Sequence, residues 1–409
     1  MKTDIQADML QSSVDEGGQI YYSENYNISY TGNDVFINKE KVDLEANCDS
    51  AKKYAEKKMR ERYTAVLSQQ YENIVVLPGS GTSKDIGVDG KTGKTMKELW
   101  QAVVNAITIK KLTEISKKIK FEDIQEDYTD LEAFLSKAIL AQEFLSDETL
   151  KENIQKIEVI IQKECTLQLP DEAPHLKFLR KLTARKLKYS RVKIFTLNYD
   201  LLFEQAATKG GYVVIDGFSF TYPRSFNGIN FDYDIVTRNN NRPQYEENFF
   251  AKLFHLYKPH GSLDWKKTFD GKIVKVSEVK PSKDTLMIYP SSNKYESSYE
   301  QPYFEMIARF QQELRSQNVL LLVIGFSFYD KHISAMIEEA LNVNQSITIM
   351  IVAPNVIDGK TFLNYKKKTV ELGNIYIINE TFEDFVDHYP YSDIYDYFSK
   401  EEQEKNDTV

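Results

Sequence analysis

Apolar residues in this chain fall into two alternating spacings, and the alternation predicts the architecture. Asn73-Ile-Val-Val-Leu77, Lys252-Leu-Phe-His-Leu-Tyr257, Ile347–Val352 and Asn374-Ile-Tyr-Ile-Ile378 are short runs dense in apolar and β-branched residues. Val192-Lys-Ile-Phe-Thr-Leu-Asn-Tyr-Asp200 and Val319–Asp330 begin the same way and end in polar groups. Runs of this length suit parallel strands buried on both faces. Between them the spacing turns helical: Tyr54, Met59, Tyr63, Val66 and Leu67 share one stripe. Leu99, Trp100, Val103, Val104 and Ile107 share another; Leu131, Phe134, Leu135, Ala138 and Ile139 a third; Leu150 through Ile161 a fourth. Further helices are predicted from Leu201, over about 299–317, and over 333–341 and 382–388, while Pro170 and Pro174 interrupt the long helical region. Strand, loop and helix in this order predict an α/β fold with a Rossmann-like parallel sheet covered on both faces. A helical insertion over about 95–188 separates the first two core strands.

The polar endings of the strands come next. A strand that stops at Thr196, Asn198 and Asp200 before a helix places those side chains at the carboxyl edge of the sheet, where open α/β folds put their ligand crevices. The first core strand feeds Pro78-Gly-Ser-Gly-Thr-Ser83. Two glycines one residue apart let a backbone approach a ligand closely and leave amides free for phosphate. Two near matches carry no weight. Lys84 stands where G-x-G-x-x-G needs its last glycine, and Val88 stands where a Walker loop ending Gly93-Lys94-Thr95 needs its first.

Outside these runs, Gln19-Ile-Tyr-Tyr22 and Asp34-Val-Phe-Ile-Asn38 read as a hairpin around Thr31-Gly-Asn33. Gly210–Gly217 supplies a turn and a strand, and strand-like runs follow at Lys272–Val279 and Leu286–Tyr289. Residues 218–248 lack periodicity and are rich in Asn, Tyr, Phe and Arg, which predicts a long ordered loop acting as a lid or binding surface. Residues 1–18 are polar, and Lys400–Val409 has the charge of a disordered tail. The expected organisation is an N-terminal extension over 1–49, one nucleotide-binding domain over 50–390, and a polar tail over 391–409.

Composition narrows the chemistry. A net charge of −9 over 409 residues supplies no basic stripe, so no direct nucleic-acid binding is expected. Cys48 and Cys165, far apart, make neither a cysteine zinc module nor a disulfide framework, which fits a reducing cytoplasm. The N-terminus has no apolar signal region and no run approaches the ~20 apolar residues of a membrane span. His175, between Pro174 and Leu176, reads as a loop or cap residue, His255 as a core residue, and Arg180–Lys188 as a solvated helix face. Asp264-Trp265 is expected to anchor the turn after His260.

Four stretches, each following a strand, together resemble the sirtuin family. Gly79-Ser-Gly-Thr-Ser83 resembles its phosphate loop, Thr196-Leu-Asn-Tyr-Asp200 its Thr-Gln-Asn-Ile-Asp motif, and Lys258-Pro-His-Gly-Ser262 its histidine motif. Ile324-Gly-Phe-Ser-Phe-Tyr-Asp-Lys-His-Ile333 resembles a signature of bacterial sirtuin-like defence proteins. The resemblance covers roughly 70–205 and 250–355, less the insertion. Three departures stand out: no cysteine follows Cys165, Leu197 replaces the motif's Gln, and Lys84-Asp-Ile-Gly-Val-Asp-Gly90 replaces the Ile-Pro-Asp-Phe-Arg segment. The resemblance therefore implies a sirtuin-type sheet without a zinc module, NAD as substrate with no metal, and the branch that hydrolyses NAD rather than removing acyl groups from proteins.

In that reading Gly79, Ser80, Gly81, Thr82 and Ser83 offer amides and hydroxyls to the pyrophosphate. Asn198 orients ribose or water, Asp200 fixes Asn198 or favours the developing cation, and His260 is the general base. Thr196, Tyr199, Gly325 and Ser327 complete the cofactor-binding set, with Gly325 and Ser327 along the adenosine half. The N-cap alternative for Asp200 stays open. So does a structural role for His332. Bacterial relatives of this kind act in anti-phage defence, some beside a HerA-type ATPase, which implies a homo-oligomer with such a partner. The competing hypothesis is a non-catalytic NAD or ADP-ribose sensor.

Overall fold

The computed structural model describes residues 18–45, 48, 50–237, 249–287, 301–354 and 360–392. The chain divides into two compact units, Tyr71–Thr348 with Phe382–Val409, and Met1–Gln70 with Ile349–Thr381. The expectations for residues 1–17, for 238–248 of the long loop, for Ile288 and Tyr289, and for the tail from 393 on lie outside the described residues.

The first unit is built on five parallel strands, β1 (Asn73–Pro78), β2 (Lys193–Phe195), β3 (Val213–Ile215), β4 (Leu253–Tyr257) and β5 (Val319–Ile324). Their spatial order is β5-β1-β2-β4-β3. Ile324 pairs with Pro78 and Tyr257 with Phe195, so the carboxyl ends of four strands finish nearly level. Pairing continues past the ends: the Gly79 amide donates to Ile324 O (2.9 Å), Leu197 N to Pro78 O (3.1 Å) and Thr196 N to Tyr257 O (3.0 Å). β2 is shorter than the apolar run predicts. The Thr196 hydroxyl accepts the Asn198 amide at 3.2 Å and turns the chain out of the sheet, a local side-chain bond competing with the ladder.

The insertion between β1 and β2 is helical as predicted: α1 (Met96–Ile107), α2 (Ile109–Ile119), α3 (Leu131–Phe144), α4 (Glu148–Cys165) and α5 (Pro174–Thr183). Thr95 opens α1 with a capping box to Glu98, which is what Gly93-Lys-Thr95 does in place of phosphate binding. The predicted stripes meet in one core of Leu99, Trp100, Val103, Phe134, Leu135 and Ile157. α6 (Leu202–Gly210) follows β2, α7 (Tyr303–Leu314) precedes β5, and α8 (Lys331–Val343) follows it.

Several local expectations change. Part of the long loop folds: Arg224–Ser225 joins an antiparallel sheet with Ile273–Lys275, Gly261–Lys267 and Thr285–Met287, and Gly228–Asp232 is a 3-10 turn. Trp265 and Asp264 are buried within Gly261–Lys267, so they belong to a strand and not to a turn. His175 is not at a loop: it is fully buried in the first turn of α5 against the ring edges of Phe203 and Phe382. Burial pushes its pKa down to about 3, so it packs as a neutral ring. Nor is Arg180–Lys188 simply a solvated face. Lys181 donates to the carbonyls of Val386, Asp387 and Tyr389, and Arg185 to those of Tyr71 and Glu72. His255 is buried, as expected, with Tyr257 OH 3.4 Å away.

In the second unit Gly18–Tyr22, Asn27–Thr31, Asp34–Ile37 and Glu40–Val42 form an antiparallel meander. Gly18–Tyr22 also pairs with Ile375–Ile378. The turn at Gly32 therefore joins Asn27–Thr31 to Asp34–Ile37, and Gly18–Tyr22 is not the hairpin partner predicted. Asn27–Thr31 escapes a hydrophobicity reading because only Ile28 within it is buried. The helix Ala51–Leu67 carries Arg60 and Tyr63, which bind the two Glu380 carboxylate oxygens at 2.9 and 3.0 Å.

Candidate functional site

A cavity of about 1190 Å3 lies at the carboxyl ends of β1, β2, β4 and β5. Gly79, Ser80, Ser83, Asn198, Tyr199, Asp200, His260, Gly325 and Ser327 all line it. Gly81, Thr82 and Thr196 do not. Its volume is at or above the roughly 300–1,000 Å3 typical of small-molecule sites.

The Gly79–Ser83 turn keeps fewer free amides than the sequence suggests. The amides of Gly79 and Gly81 donate to Ile324 O and Gly325 O, those of Thr82 and Ser83 to Gly79 O and Ser80 O, and that of Lys84 to Ser80 O. The hydroxyls are also engaged, Thr82 with Gly79 O (2.9 Å) and Ser83 with Asp200 Oδ2 (2.6 Å). The glycines serve backbone-to-backbone contact instead. A Cβ on Gly79 would lie 2.6 Å from Gly325 O, and one on Gly81 2.6 Å from Gly325 Cα. Gly325 itself has φ +62° and would clash in return with Gly81 Cα.

Asn198 cross-links the turn to β2. Its Nδ2 donates to Gly79 O (2.9 Å), Thr82 Oγ1 (3.2 Å) and Ser83 Oγ (2.8 Å). Asp200 Oδ2 accepts from the Ser83 hydroxyl that Asn198 also contacts, and its Oδ1 accepts the Leu202 amide at 3.1 Å where α6 begins. Beneath them Lys258, almost fully buried, donates from Nζ to Tyr199 O (3.4 Å), to Asp200 O and to Glu204 Oε1 (3.2 Å). The residue two before His260 thus holds the backbone that carries Asn198 and Asp200. It was visible only as part of a motif.

His260 is buried, and its Nε2 lies 3.0 Å from Asp330 Oδ2. Asp330 is held rigidly because its Oδ1 accepts the amides of His332 (2.8 Å) and Ile333 (3.2 Å), capping α8. On the other side of the ring, Glu132 Oε1 stands 3.9 Å from Nδ1. Burial alone would lower the imidazole pKa, but the Asp330 bond and the Glu132 charge outweigh it and raise it. Burial would raise Asp330, but His260 and the two amides hold it low. His332 lines the cavity beyond them and is exposed.

Asp330 and Glu132 are site residues the sequence reading did not assign. A signal existed for Asp330, an Asp-x-x-Ile helix start following a strand. Glu132 had none, because it lies on the polar face of an insertion helix. That face of α3, with Glu132, Ala133, Ser136, Lys137 and Leu140, forms cavity wall, together with Lys120–Asp123 and Cys165. Burial pushes the Cys165 thiol up to about 12, so it is a wall group and not a nucleophile. Among the described residues no group of three or more His, Cys, Asp or Glu is placed to hold a metal ion. No helix among them is long and apolar enough to cross a membrane.

Comparison with known proteins bears on the same edge of the sheet. Residues 192–370 match the family described as SIR2-like domain. The match takes in the Asn198, His260 and Asp330 segments and leaves out the Gly79–Ser83 turn and the helical insertion. No curated protein matches the chain. Among solved structures, a triple mutant of a Sir2 homologue in complex with 2'-O-acetyl ADP ribose aligns at 10% identity and a TM-score of 0.37, over 80% of this chain and 94% of that one. Residues 192–370 are thus SIR2-like.

Proposed function

We propose that the cavity binds NAD+ and hydrolyses its nicotinamide–ribose bond, giving nicotinamide and ADP-ribose. The observation that carries this reading is that Asn198 and His260, just beyond the ends of different strands, open onto one cavity within a segment that is SIR2-like. Cleavage of such a bond passes through an oxocarbenium-like state, as glycoside cleavage does. Carboxylates at Asp200, Asp330 and Glu132 favour the developing cation electrostatically. Because Nε2 of His260 is engaged by Asp330, Nδ1 is the nitrogen left for a ribose hydroxyl or water. The carboxamide of Asn198, pinned through Nδ2, keeps its oxygen for the substrate. With most of the loop amides occupied, polar side chains of the cavity are the main groups left to meet the pyrophosphate.

The same resemblance supports depletion of NAD during phage infection, with activity governed by homo-oligomer formation and a HerA-type ATPase partner. Nicotinamide release by the purified chain, wild type against Asn198→Ala, tests the enzymatic core of the proposal. The variant is expected to be at least about tenfold slower, roughly 1.4 kcal/mol of transition-state stabilisation. Unchanged turnover defeats the site, and binding of NAD+ without release favours a sensor.

A further inference from the structure

We infer that Glu132, contributed by the helical insertion, is the group that takes the proton of the attacking water, with His260 holding that water beside it. The inference rests on the NAD reading and deepens it.

The geometry starts at His260. One nitrogen is committed to Asp330 at 3.0 Å, and the other faces Glu132 Oε1 at 3.9 Å. That second separation is too long for a direct hydrogen bond and suits a pair of groups sharing a small polar guest. Both residues line the cavity, and about a quarter of the Glu132 side-chain surface (26%) remains exposed. The position of Glu132 is fixed from its own helix: Asp130 caps α3 through the Ala133 amide at 3.0 Å, and Leu131 and Phe134 bury the opposite face. A carboxylate placed here with no arginine or lysine paired to it among the described residues is costly, and costly groups concentrate at working sites.

The step balances simply. A water oxygen bonds to ribose C1' as the C1'–nicotinamide bond breaks, and the bonding pair neutralises the pyridinium nitrogen. The water proton passes to the Glu132 carboxylate. His260, carrying its proton on the Asp330 side, orients the water through Nδ1. Burial pushes the Glu132 pKa up to about 7, aided by Asp330 and Asp130 and opposed by His260. A base in that range is matched to neutral pH. The groups facing it are His260, Asp330, Asp130 and Tyr128, and the titration belongs to that set together. Glu132 must be ionised to accept a proton, so turnover falls as pH drops through about 7.

The test compares wild type and Glu132→Gln for nicotinamide release from about pH 5 to about pH 9 (roughly two decades either side of the expected base), with ADP-ribose binding and the His260 imidazole titration followed by NMR. Expected are a loss of about 30-fold or more in kcat, an acid limb moved to lower pH, ADP-ribose affinity within about threefold, and a lower His260 pKa. Turnover unchanged or raised in Glu132→Gln, with the acid limb intact, overturns the inference and leaves the NAD reading standing. A wild-type chain that binds ADP-ribose and never releases nicotinamide overturns both. A His260 titration indifferent to the substitution overturns the pairing itself, whatever the activity.

Discussion

His260→Ala is expected to lower nicotinamide release by about two to four orders of magnitude while ADP-ribose still binds. The size follows from what the ring joins. His260 stands between Asp330, which caps α8, and Glu132 on α3. Its removal deletes the hydrogen-bonding partner of the water. It also leaves the Glu132 and Asp330 carboxylates without the imidazole that favours the ionised form of each. Because the residue does not hold β4 to its neighbours, which is done by backbone pairing and by Lys258, the fold survives. Parallel measurements of circular dichroism and of nicotinamide release separate the two effects. Activity within threefold of wild type in a folded variant contradicts the assignment.

The second large effect is on stability. Gly81→Val is expected to cost at least ~3 kcal/mol, a Tm loss of roughly 5–10 °C, because a branched side chain must enter a contact already closed by backbone atoms. The Cβ alone would stand 2.6 Å from Gly325 Cα and 3.1 Å from Gly325 O. Neither turn can retreat, since Gly81 N is bonded to Gly325 O at 3.0 Å and Gly79 N to Ile324 O at 2.9 Å. Gly325→Val adds the left-handed strain of φ +62° to the same clash, about 1–2 kcal/mol more. Gly18→Ala, whose added Cβ meets nothing within 4 Å, is the matched control and stays within ~0.5 kcal/mol. Thermal denaturation of the three variants gives the comparison; Gly81→Val melting with wild type means the two turns do not press on one another.

These glycines show where sequence pattern carried the fold and where it stopped. Glycines at 79 and 81 mark a place where something approaches the backbone closely, and that much was legible. What approaches is the neighbouring strand's turn at 325, a long-range fact no local pattern encodes. The parallel strands were readable because burial on both faces forces continuous apolar runs. The polar tips at Asn198 and His260 were readable because a strand that stops at hydrogen-bonding groups has few other uses. The polar face of α3 was not, since an amphipathic helix looks the same whether its outer face meets solvent or a cavity. Lys181 and Arg185 misled for the reverse reason: charge on a helix suggested solvent, but helix and strand ends offered carbonyls for them to cap. Lys258 and Asp330 stood within quoted motifs, and their roles emerged only with the backbone groups they bind.

The central claim is that separate strand tips and an insertion helix enclose one NAD+ site. The structure of crystalline His260→Ala soaked with NAD+ tests it most directly. The claim predicts the dinucleotide in the cavity, with the nicotinamide ribose between Asn198 and Glu132. NAD+ seated elsewhere, or its ribose out of reach of Asn198, contradicts it.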